Sequence, residues 1–112
     1  MKTLLLILFT SAIVLFGAEV SIRLPVGCVV TDNDNSGKTW AQSGFINVTY
    51  VTALNNFTSS LRSQGWREIQ HIEMGKVKLQ SIMLWQRGND KLTLMLWKVQ
   101  VAQTGFSWGI AK

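Results

Sequence analysis

The chain has 112 residues, 47% of them hydrophobic and 15% charged, with a formal net charge of +5. That length holds one domain with a single core, and the basic residues are scattered rather than gathered in a stripe, which argues against a nucleic-acid partner. A lone cysteine, Cys28, excludes an internal disulfide, so the fold must hold by packing.

The first eighteen residues carry an address. Lys2 precedes the apolar runs Leu4–Phe9 and Ala12–Phe16, which end at Gly17-Ala18. This is the plan of a secretory signal peptide. The apolar stretch has about 15 residues, short of the roughly 20 that span a bilayer. Cleavage is expected after Ala18. Removing 18 of the 112 residues leaves 94, with a net charge of +4 once Lys2 is gone. The expected location is periplasmic or secreted, with membrane contact only through this segment if it stays uncleaved. The expected organisation is a signal peptide over 1–18, an extended lead-in over 19–27 containing Pro25 and Gly27, and one domain over 28–112.

Cys28 sits in the apolar run Val26–Val30 and is expected to be a buried thiol. A short strand is predicted at Val29–Thr31, a turn at Asp32–Gly37, and a strand at Trp40–Val48. The spacing of Val51, Leu54, Phe57 and Leu61 then predicts a helix with one apolar face. Thr49 can cap its start, and Gly65 stands just past its end.

After Gly65 the period changes to that of a strand. Trp66–Met74 reads as one strand and Gly75-Lys76 as a turn. Val77–Arg87 alternates, with Val77, Leu79, Ser81, Met83 and Trp85 on one face and Lys78, Gln80, Ile82, Leu84 and Gln86 on the other. Gly88-Asn89-Asp90 predicts a hairpin loop before Leu92–Val101. A turn at Gln103–Gly105 leads to a last short strand over Phe106–Ile110. The fold class is therefore α+β: a single helix packed on a small antiparallel sheet, as a β-β-α-β-β-β meander with a short C-terminal strand.

The constellations that carry chemistry fall short. Asp32-x-Asp34-x-Ser36-Gly37 copies the opening of a calcium loop, but Ser43 stands where a bidentate glutamate belongs, and Trp40 replaces another oxygen donor. One histidine, His71, and one cysteine are too few for a zinc site, so no metal or cofactor is expected. Cys28 with His71 is the one conceivable nucleophile–base pair. His71 reads better as an exposed strand residue beside carboxylates. Glu68 and Glu73, five apart in a strand, are expected on opposite faces. No catalytic residue is assigned. Asn47-Val48-Thr49 and Asn56-Phe57-Thr58 match the glycosylation triplet, though Phe57 belongs to the expected core.

What remains is apolar surface. A sheet with one helix should show polar residues on its wet face, yet Leu92–Val101 is apolar on both sides, and Ile82 and Leu84 interrupt a polar face. Something should cover that second face. The expected cover is local, from Val20–Val30 or from Phe106–Ile110, with a second copy of the chain or another protein as the competitor. The expected function is a non-enzymatic binding or assembly module of the cell envelope. Its candidate interaction face is Ile82, Leu84, Trp97 and Trp108, and its partner a second copy (a homo-oligomer) or an envelope protein. The alternative is a domain that binds a small ligand or an envelope polymer, sugar or lipid, through exposed tryptophans. A small hydrolase ranks third.

Overall fold

The computed structural model describes residues 13–16, 20–34, 39–75 and 79–111. Most of the expected signal segment with its cleavage point, the end of the Asp32–Gly37 loop and residues 76–78 lie outside the described residues. The elements in chain order are β1 (Ile13–Phe16), β2 (Val20–Arg23), β3 (Cys28–Asp34), β4 (Thr39–Ile46), α1 (Tyr50–Ser63), β5 (Arg67–Met74), β6 (Gln80–Arg87), β7 (Asp90–Gln100) and β8 (Gln103–Ala111). Strands β1 and β2 pair with each other, and the other six form one antiparallel sheet in the order β3-β4-β8-β7-β6-β5. One helix packed on an antiparallel sheet is the expected α+β class.

The last strand differs most from expectation. It has nine residues rather than five and lies inside the sheet, between β4 and β7. The turn before it is Val101-Ala102, because Gln100 pairs with Gln103 and Thr104 already pairs with Lys98. Gln103–Gly105 is therefore strand, not turn. Glycine and threonine suggested a break, but Gly105 serves a close approach instead. A Cβ there would run into the Trp97 ring, which lies across it.

Helix α1 starts as its sequence predicts: the Thr49 hydroxyl accepts from the Thr52 amide. At its other end Gly65 takes a positive φ of 90°, and the Arg87 guanidinium donates to the Gln64 carbonyl at 3.0 Å while standing 4.6 Å from the Trp66 ring. A cation there also suits the negative end of the helix dipole. The buried face is Tyr50, Ala53, Phe57 and Leu61. Val51, expected on that face, is exposed, because the spacing through Tyr50 and Ala53 fits the stripe better and needs only a small residue at 53. Phe57 packs on Phe106 (5.4 Å between centroids) and edge-on to Trp108 (5.9 Å). Burying an aromatic ring of this size stabilises by about 1.5–3 kcal/mol.

The lead-in belongs to the same layer as the helix. Ile22 and Leu24 join the core, and the Gln64 side chain makes reciprocal hydrogen bonds with the Arg23 backbone, at 2.7 and 2.8 Å. No helix among the described residues is long and apolar enough to cross a membrane.

Candidate interaction face

Antiparallel registers place the residues of each face in rows across the strands. Under the helix lie Met83, Leu94 and Phe106, all fully buried. The opposite face is built from the alternate positions. One row runs Val29, Phe45, Gly105, Trp97, Gln80, Met74 from β3 to β5. The next runs Asp32, Ser43, Ser107, Met95, Ile82, Ile72, and the third Asp34, Ala41, Gly109, Thr93, Leu84, Gln70. A hydrogen bond between the Ser43 and Ser107 hydroxyls, 3.4 Å, fixes two of these side chains on the same side.

This face is apolar at its centre and partly exposed. Leu84 is 37% exposed, Ile72 43% and Val29 43%, while Ile82, Met95, Trp97 and Phe45 are partly exposed. Neither local cover that the sequence suggested lies there. Ile22 and Leu24 pack in the core with the helix, and Phe106–Ile110 extends the sheet instead of capping it.

Of the four residues expected on an interaction face, Ile82, Leu84 and Trp97 do share one. Trp108 does not belong to it. It is 1% exposed in the helix-side core, where its indole N–H donates to Gln42 Oε1 at 3.1 Å. The cause is the position of β8: a strand inside the sheet turns alternate residues to the core, and Trp108 shares that phase with Phe106 and Ile110. Sequence reasoning missed Val29, Phe45 and Ile72, whose strands lack a continuous apolar pattern. Their alternation with core residues was the available signal.

A second cluster lies at the rim of the helix-covered face. The Tyr50 hydroxyl donates to the Glu73 carboxylate at 3.1 Å, and His71 Nε2 stands 2.6 Å from the other carboxylate oxygen. Burial raises the Tyr50 pKa, the Ser81 hydroxyl works against that, and the Glu73 charge adds to it. These contacts tie the first turn of α1 to the border strand β5. Glu68 and Glu73 face the same side after all, since they pair with Trp85 and Ser81, and a bulge between Glu68 and Gln70 shifts the alternation by one. Four strand positions still separate them, about 14 Å, too far for a paired-carboxylate site. Glu68 instead meets Arg62 at 3.7 Å.

Cys28 and His71 lie on β3 and β5, the two border strands. Five strand spacings separate them, about 24 Å, so they cannot form a nucleophile–base pair. Cys28 is partly buried against the core, and burial pushes its thiol up to about 12. Asp32 and Asp34 are exposed residues of β3, and no group of three or more metal-ligating side chains occurs among the described residues. Asn56 and Phe57 lie within α1, with Phe57 fully buried.

Comparison with known proteins adds no relative: no family model matches the chain, and no curated protein or solved structure is similar to it.

Proposed function

We propose that this protein is a non-enzymatic binding or assembly module of the cell envelope that works through the open face of its sheet. One observation carries the reading: the face opposite α1 presents Leu84 exposed and Ile82, Met95 and Trp97 partly exposed. A two-layer domain buries the apolar side of its sheet against the second layer, and an apolar outer side is an interaction surface. Burial of that side against a partner would contribute about 25 cal/mol for each Å² removed from water, less the cost of association. The envelope address rests on the apolar N-terminal run.

The ligand-binding alternative draws less support. Four of the five tryptophans, Trp40, Trp66, Trp85 and Trp108, are buried, which leaves Trp97 as the single stacking platform, on a sheet face rather than in a concave site. Catalysis draws less still, given the separation of Cys28 from His71.

In-cell photo-crosslinking from Met83 and from Leu84 tests this reading. The two are chain neighbours on opposite sides of β6, one fully buried and one exposed. Leu84 is expected to give a specific heavier adduct and Met83 none. Absence of any adduct from Leu84 would remove the reading. Recovery of the protein from the periplasm or medium with Glu19 as its first residue tests the address.

A further inference from the structure

We infer that the occupant of the open face is a second copy of this chain, docked sheet on sheet about a two-fold axis that runs parallel to β7 and β8 and passes between them. The inference rests on the reading of this face as an interaction surface and adds the partner and its register.

Over the centre of two of its three rows the face is divided into a low half and a high half. On β4 and β8 it carries Ala41, Ser43, Ser107 and Gly109; on β7 and β6 it carries Thr93, Met95, Ile82 and Leu84. The boundary between the halves is the boundary between the two central strands, β8 and β7. A two-fold axis along that line carries each half onto the other. Ser107 then meets Met95 of the second copy, Ser43 meets its Ile82, and Ala41 meets its Leu84. At these central positions each large side chain faces a small one, as interdigitating sheets require, whereas in the remaining row Phe45 meets Gln80 of the second copy. An in-plane axis across the strands would stack large on large and leave the low half empty.

Charge selects the same axis. Asp32 and Asp34 lie on border strand β3, whereas Arg67 is on the opposite border strand β5 and Lys91 is on the same half of the sheet as Arg67. The axis along the strands sets Asp34 over Gln70 of the second copy, one row from its Arg67, and keeps the two acidic borders apart. The crosswise axis sets acid on acid. An isologous contact of this kind closes as a dimer and exposes no further copy of the patch.

The area is sufficient. Six strands spaced about 4.8 Å apart, each about eight residues long, present roughly 600–800 Å² per copy, near the 800 Å² per partner of a standard interface. Sheets packed this way lie about 10 Å apart with their strands within about 30° of each other.

Sedimentation of the protein as recovered from cells, from about 1 to about 100 μM, where interfaces of this area associate, is expected to show a species of twice the monomer mass. Ser107→Arg and Met95→Glu are each expected to weaken association at least about tenfold with unchanged circular dichroism. A one-to-one mixture of the two should restore the dimer, because one contact becomes an ion pair and its symmetry mate stays native. Should either variant fail to fold, Ala41→Cys mixed with Leu84→Cys replaces the test. A short bismaleimide should couple the mixture and neither variant alone.

A wild-type chain that stays monomeric throughout the range overturns the inference, as does a mixture no better than its components. If the monomeric chain still gives a heavier Leu84 adduct in cells, the face binds another protein and only the second copy is lost. If it gives none, both readings fall.

Discussion

The two faces of one sheet share their strands, and they differ in what alternation delivers to them. Toward α1 the alternate residues of β6, β7 and β8 are large and close-packed, and Phe57, Phe106 and Trp108 form one aromatic cluster. Away from α1 the same strands present a mixture of large apolar and small residues at partial exposure. The helix-side residues specify the fold, since removing any of them leaves a hole that the rest cannot fill. The open-face residues are not needed to close that core. Their apolar character is the observation on which the proposed interaction rests.

The sharpest way to break this comparison is a carboxylate on each side of the same strand. Met83→Asp buries an uncompensated charge under the helix and should cost on the order of 3–5 kcal/mol, enough to unfold a domain of this size. Leu84→Asp places the same charge one residue on, in water, and should cost less than about 1 kcal/mol per chain while abolishing association. Urea unfolding at low protein concentration measures both. Equal costs at the two positions would mean that the open face is covered from within the chain.

A second, smaller effect divides the tryptophans of the covered face. The Trp108 indole bonds Gln42, and Gln42 is itself buried, whereas the indole N–H groups of Trp85 and Trp66 find no acceptor. Trp108→Phe orphans the Gln42 oxygen and should cost about 1–3 kcal/mol beyond the lost ring volume. Trp85→Phe removes a donor that was already unpaired and should cost only the volume. Parallel chemical-denaturation curves for the two variants expose the difference as an unequal shift in midpoint.

Much of this asymmetry was legible in the residues themselves. The strict alternation of Val77–Arg87 assigned Ser81, Met83 and Trp85 to one face and Ile82 and Leu84 to the other, as found. Thr49 and Gly65 marked the helix ends because capping is a local interaction. The failures were non-local. Nothing within Phe106–Ile110 says that β4, some sixty residues earlier, will pair with it, so Trp108 could be taken for an edge or surface residue. A bulge likewise leaves little local trace, and it was a bulge at Ile69 that moved Glu68 onto the same side as Glu73. The bare second face was visible as a pattern, but what covers a sheet depends on chain routing, which periodicity does not encode.

The smallest effect concerns Cys28, on the border strand where the two faces meet. Its thiol packs against the core and is held neutral, with burial raising its pKa from 9.0 to about 12. In the unfolded chain the thiol ionises near its ordinary value, so below pH 9 both states carry the proton and Cys28 adds no pH dependence. Between about pH 9 and 12 the unfolded state has lost a proton that the folded state keeps, and stability must fall with rising pH. Cys28→Ser should flatten that slope and leave stability near neutrality almost unchanged, as read from denaturation midpoints at stepped pH. The same thiol should react with a disulfide reagent at pH 8 far more slowly in the folded chain than in urea, since the thiolate is the reactive form. A native thiol as fast as the unfolded one would place Cys28 in solvent and reopen it as a site of intermolecular bridging.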